Sequence, residues 1–183
     1  MTDIPARYAR LAEEFAATIA AVPTDRWGNR SPCPEWTARD LVRHVVETQG
    51  TFLGLVGREL GPVPSVDVDP GAAWDAARKA VQADLDEPAR AGAEYDGYFG
   101  RSTFADAVDG FVCFDLIVHR WDLARATGLD ERLDPADVRS VMEQTAAFGE
   151  TLRSDQICGP ALTPPDGADE QTRMLAFLGR QAW

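Results

Sequence analysis

His44 and His119 are the only two histidines of this chain. Both fall on the apolar stripes of segments with helical periodicity, where an unsatisfied polar ring costs free energy. Asp115 stands four residues before His119, so on a helix the two side chains project from one face about a turn apart. An Asp-x3-His pair on one helix and a histidine on another make two imidazoles and one carboxylate. That set holds zinc and related divalent ions with a coordination position left for water or substrate. Zinc stands foremost, with nickel or iron as alternatives that the same donors suit. The spacing also fits an ordinary helical ion pair, and a lone histidine on a helix face can be a satisfied core or rim residue. Short motifs leave both readings open.

Several neighbours could assist, each with a plainer role beside it. Asp40, one turn before His44, could accept a hydrogen bond from its ring, yet it also stands three residues after Thr37, where it completes a capping box. Glu47 is a candidate ligand or base, or a solvated side chain. Asp122, three residues after His119, could orient that ring, bind substrate, or pair with Arg125. Arg120 and Arg43 could hold a carboxylate or simply face water. Trp121, Trp36, Tyr95, Tyr98 and Phe99 could wall an apolar pocket or pack the core and loops. Cys33 and Cys113 are weak candidate nucleophiles, and Cys33, in the loop before the second helix, reads as structural. Cys113 is two residues from Asp115, about 200° around a helix, and should face away from it. No catalytic residue is assignable from spacing.

The elements that position these residues are helices. Tyr8, Leu11, Phe15, Ile19 and Val22 recur at three- and four-residue steps, marking a first helix that ends near Pro23. Gly28, Asn29, Pro32 and Pro34 place a loop over residues 25–36. Thr37 and Asp40 open a second helix expected over residues 38–60, and an alanine-rich third helix is expected over 72–85. Residues 89–101, with three glycines, read as a loop or a short extended piece. A long fourth helix is expected over residues 103–127, closed by Gly128 with Arg125 in its last turn. Further helices are expected over about 135–152 and 169–178. Strand-like alternation is nearly absent, so the class is all-α, one domain over residues 1–183.

Composition narrows the partners. Eighteen basic against 30 acidic residues give a net charge of −12, which disfavours nucleic acid and anionic lipid surfaces. Three widely spaced cysteines offer neither a disulfide framework nor a thiolate zinc site, in keeping with a reducing cytoplasm. No apolar run approaches the ~18 residues of a membrane span, and the stretch near Phe15 lacks the basic flank of a signal peptide.

The run Cys33-Pro34-Glu35-Trp36-Thr37-Ala38-Arg39-Asp40-Leu41-Val42-Arg43-His44 resembles the approach to the second helix in the DinB-like superfamily, which includes the mycothiol-dependent maleylpyruvate isomerase N-terminal domain. The run from Asp115 through His119-Arg120-Trp121-Asp122 to Gly128 looks like the second signature of an actinobacterial metal-binding branch, and the tail from Gly159-Pro160 to Gly179-Arg180 is also similar to it. The resemblance implies a DinB-like four-helix bundle with additional short C-terminal helices and a metal held by His44, Asp115 and His119. It also implies a low-molecular-weight thiol, mycothiol or a similar one, as cosubstrate: a metal-dependent S-transferase or thiol-assisted isomerase acting on a small electrophile. A hydrolase using bound water, or a non-catalytic metal- or ligand-binding protein, are the alternatives. A homodimer is among the assemblies the resemblance raises. The isomerase carries Glu where this chain has Asp115, and a further C-terminal domain for which 183 residues leave no room, so maleylpyruvate isomerisation itself is not expected.

Overall fold

The computed structural model describes residues 3–97, 100–148 and 158–183. They fall into two compact units, residues 1–130 and 131–183.

The first unit is built on four helical stretches. Helix α1 (Ile4–Ala21) is capped by Asp3, whose carboxylate accepts from the Ala6 amide. Helix α2 (Ala38–Leu55) starts at the full capping box of Thr37 and Asp40. It stops at Leu55, short of the expected residue 60, because Gly57 takes a left-handed φ of 71°. The Arg58 and Gly57 amides then bond back to the Leu53 and Gly54 carbonyls, a Schellman termination. Helix α3 (Pro70–Leu85) begins two residues earlier than the alanine run suggests, with Asp69 as cap and proline in the first turn.

A single helical turn, α4 (Pro88–Ala91), leads into an antiparallel hairpin of β1 (Glu94–Gly97) and β2 (Gly100–Thr103). The ambiguous glycine-rich segment is thus a helical turn followed by extended chain at residues 94–97 and from 100 on. The fourth stretch is continuous but not uniform. Helix α5 (Phe104–Ala107) passes through a π turn over Val108–Val112 into α6 (Cys113–Thr127). Gly128 ends it with a φ of 74°, as its position after the last periodic residue predicts.

Helix α1 packs on α3 and α6, and α2 packs on the same two, so the bundle order is α1, α3, α2, α6. Tyr8, Leu11 and Phe15 meet Leu41, Val45 and Leu53 with Trp74, Val81, Leu116 and Ile117 in the core. The rings of Trp74 and Phe15 stand edge to face with centroids 5.2 Å apart, and the indole N–H donates to the Ala12 carbonyl at 3.1 Å, which satisfies the one polar atom of that buried ring.

The second unit holds α7 (Pro135–Phe148) and α8 (Glu170–Phe177), packed on each other. Gln171 staples it internally, accepting from the Leu133 amide at 2.8 Å and donating to the Glu131 carbonyl at 2.9 Å. The expected continuation of α7 to residue 152 lies outside the described residues. The architecture is all-α apart from the small hairpin, and among the described residues no helix is long and apolar enough to cross a membrane.

Candidate metal centre

The capping box fixes where α2 begins, and His44 follows two turns in, facing α6. Helix α6 presents Asp115 and His119 one turn apart. Asp115 lies between the two imidazoles: its Oδ1 is 3.1 Å from His119 Nε2 and its Oδ2 is 3.6 Å from His44 Nε2. The rings of His44 and His119 stand edge to face with centroids 5.2 Å apart. One ligand atom from each of the three residues falls within 4.8 Å of the others. Donors bound to a single tetrahedral zinc at ordinary bond lengths stand ~3.3 Å apart, and the two measured separations bracket that value.

Asp115 Oδ2 is buried, and its His44 partner at 3.6 Å is too far for a hydrogen bond, leaving that oxygen without one among the described residues. An orphaned carboxylate oxygen is costly, more so than a neutral acceptor, and a cation shared with the two imidazoles would satisfy it. The donor set and the orphaned oxygen both fit a divalent ion. Solvent reaches the centre from the α2 side: the His44 side chain is 36% exposed, against 7% for His119.

Electrostatics locks the carboxylate and the buried ring together. Burial pushes the Asp115 carboxyl up, but His119, and His44 after it, outweigh burial and hold it well below the usual carboxylate range. Burial pushes His119 down, while the Asp115 charge and hydrogen bonds to Asp115, Asp122 and Cys33 raise it well above the usual imidazole value. Without a metal, the charged form of His119 is therefore favoured between two carboxyl groups.

Asp122 is the second of these. Its side chain is fully buried and its Oδ2 is 2.9 Å from His119 Nδ1. A carboxylate on that nitrogen leaves Nε2 free to face the cluster, the arrangement that commonly orients ligating histidines. The Cys33 thiol donates to the same Oδ2 at 3.5 Å, across 89 residues of sequence. Cys33, His119 and Asp122 thus form another set with ligand-type atoms within 4.8 Å. Spacing assigns Cys33 a structural role and misses this contact, since loop residues carry no period that would reveal a long-range partner.

Of the other candidates, Trp36 alone among the described residues borders the centre. Asp40 caps α2, accepting from the Thr37 amide at 3.0 Å, and pairs with Arg43 at 2.6 Å. The Thr37 hydrogen bonds lower its pKa first, with Arg43 adding to them. Arg43 also reaches Asp67. Glu47 is exposed. Arg120 approaches Glu14 of α1 at 3.9 Å. Trp121 is buried in the core with Arg125 over its ring. Trp36 covers the centre, its ring 4.7 Å from that of His44 and 6.2 Å from that of His119. Tyr95 is half-buried on β1, and Tyr98 and Phe99 lie outside the described residues.

The sequence profile of the mycothiol maleylpyruvate isomerase N-terminal domain matches residues 8–124, a span that includes all three members of the His-Asp-His cluster. Two uncharacterised proteins of Mycobacterium tuberculosis, one from each of two strains, are each 31% identical to the chain over 186 residues, covering 93% of it and 94% of their own length. No solved structure matches the chain significantly.

Proposed function

The chain belongs to the mycothiol maleylpyruvate isomerase N-terminal domain family, with the DinB-like all-α fold, and on that premise we propose that it is a metal-dependent enzyme transferring a low-molecular-weight thiol to a small electrophile, or isomerising one with thiol assistance. The observation that carries the reading is the orphaned Asp115 Oδ2 between two histidines, one of them open to solvent. His44, Asp115 and His119 would hold the ion, with zinc the first candidate. A divalent ion there supplies Lewis-acid activation, favouring the thiolate of a bound thiol near neutral pH, and the thiolate is the attacking form.

The protein's own residues prepare the site for this. Asp122 sets the orientation of His119. Trp36, lying on the exposed ring of His44, shields one side from water and offers an aromatic face to substrate. Mycothiol is the favoured thiol because the family is named for it.

The hydrolase alternative is less well supported. It needs a general base beside the bound water. Of the two carboxylates considered for that role, Asp122 is engaged with His119 and Glu47 is exposed. The test is to load purified protein with zinc, incubate it with mycothiol and a panel of electrophiles, and read the products by mass spectrometry. Conjugates or isomers that vanish on chelation support the proposal. Metal-dependent hydrolysis without thiol would replace it.

A further inference from the structure

We propose that Cys33 is a positioning residue of the metal centre, acting through Asp122 to hold the His119 ring in its ligating orientation. The inference rests on the metal reading above and extends it to a segment that supplies none of the three ligands.

The argument starts from the loop between α1 and α2. Its residues meet α6 in an antiparallel register, one contact for each helical turn. The Asn29 side-chain amide donates to the Ala126 carbonyl at 2.9 Å, the Cys33 thiol donates to Asp122 at 3.5 Å, and the Trp36 ring lies 6.2 Å from that of His119. Residues 126, 122 and 119 are spaced four and three apart, so all lie along one stripe of the helix. The loop is a strap laid along the face that carries the buried ligand.

The strap is held in shape by its own hydrogen bonds, so the position of the thiol is set by the fold. The Ser31 amide donates to the Trp36 carbonyl and the Ala38 amide to the Asn29 carbonyl, both at 2.9 Å. Arg30 and Thr37 form an isolated antiparallel bridge. The Cys33 amide donates to the Ser31 hydroxyl at 3.2 Å, and the Cys33 carbonyl accepts from the Trp36 amide at 3.3 Å. The chain reverses at Glu35, the only non-glycine described residue with a positive φ, 67°. A left-handed conformation costs an L-residue roughly 1–2 kcal/mol, so the reversal is maintained against a local preference.

The chemistry of Asp122 gives the thiol its role. A fully buried carboxyl group needs hydrogen-bond partners on its oxygens. Two donors converge on Oδ2, His119 Nδ1 and Cys33 Sγ. With the thiol in place, Oδ2 is fixed at the end of the Nδ1–H bond and Nε2 is aimed at Asp115. Loss of the thiol takes a donor from the oxygen that holds the ring, and the imidazole it orients loosens with it.

The test uses the full chain. Affinity for zinc is measured by competition with a chromophoric chelator, the cobalt absorption spectrum reports ligand geometry, and thermal melts confirm folding. Asp122→Asn should weaken zinc by roughly 10- to 100-fold, as outer-shell partners of ligating histidines do, and Cys33→Ala by roughly three- to tenfold, the thiol being the weaker and more distant donor. Cys33→Ser, which keeps a donor, should recover most of that loss. The double variant Cys33→Ala with Asp122→Asn should bind no more weakly than Asp122→Asn alone.

A readout independent of metal accompanies these. In the metal-free protein the downfield proton resonance of His119 Nδ1, assigned by its absence in His119→Ala, should lose protection from exchange in Cys33→Ala and keep it in Cys33→Ser. If the wild type binds neither zinc nor cobalt, the metal reading fails, and this resonance alone decides whether Cys33 orients the ring. Unchanged affinity and an unchanged resonance in Cys33→Ala overturn the proposal. So do additive losses in the double variant, or a wild-type stoichiometry of two ions falling to one in Cys33→Ala, which would make Cys33 a ligand of a second ion.

Discussion

Replacing His119 by alanine in the metal-free protein tests whether the centre is held together electrostatically when no ion is bound. The ring is 7% exposed and stands 3.1 Å from Asp115 and 2.9 Å from the fully buried Asp122. Removing one partner of a buried pair costs about 3–5 kcal/mol because the remaining charge is left in the interior. Asp115 is 25% exposed, and water can relieve part of that cost, so the lower end, ~3 kcal/mol, is expected. With a urea m-value of about 2 kcal/mol per molar, the unfolding midpoint should fall on the order of 1.5 M.

The loss should depend on pH in a defined way. His119 has a raised folded-state pKa, so its contribution is complete below its unfolded value of about 6.5 and disappears as pH rises through the raised value. Asp115 has a depressed pKa, so its contribution is complete above about 3.9 and disappears as pH falls through the depressed value. The gap between wild type and variant should therefore be widest between about pH 4 and 6.5 and close toward alkaline pH. His44→Ala is the control: its ring is 36% exposed and 3.6 Å from Asp115, and its removal should cost under ~1 kcal/mol. A His119→Ala midpoint within ~0.25 M of wild type at pH 6 would refute the reasoning.

Other outcomes follow from the same geometry. Asp115→Ala should lower zinc affinity by more than ~100-fold, beyond what outer-shell changes cause, as read by chelator competition. Glu35→Gly should stabilise the protein by about 0.5–1 kcal/mol in urea melts, relief of the left-handed backbone at φ 67° outweighing the added freedom of the unfolded chain. Gly128→Ala meets no neighbouring atom but keeps a φ of 74°, so it should destabilise by about 1 kcal/mol through strain alone. Trp36→Ala should raise KM for the electrophile more than it lowers kcat in the conjugation assay, because the ring covers the centre without being among the His-Asp-His ligands.

What the sequence disclosed depended on whether a contact was local. The four-residue step from Asp115 to His119 is a property of any helix and could be read directly. The capping box at Thr37 and the terminating glycine at 128 were legible for the same reason. The apolar stripe runs on past Leu55 and suggests a longer α2, while Gly57, whose left-handed backbone ends it, carries no period. The role of Asp122 stayed balanced in sequence because a residue three from His119 and three from Arg125 can turn either way along the helix. Burial against the strap supplies its contact with His119. Cys33 could not be found at all from spacing, since its partner lies 89 residues away. The π turn was equally hidden, with Gly110 as its only trace.

That turn gives the centre an unusual tolerance to changes in chain length. A π turn accommodates one residue more than the α-helix it interrupts, with both flanks remaining helical. Deleting Gly110 would let Val108–Val112 close as an ordinary turn, leaving Phe104 in the core on one side and Asp115 and His119 aimed at His44 on the other. The same deletion between Asp115 and His119 would swing one ligand about 100° away from the other. The helix thus has one place where its reading frame can slip and another where it cannot, and the boundary between them lies just ahead of the first ligand on α6.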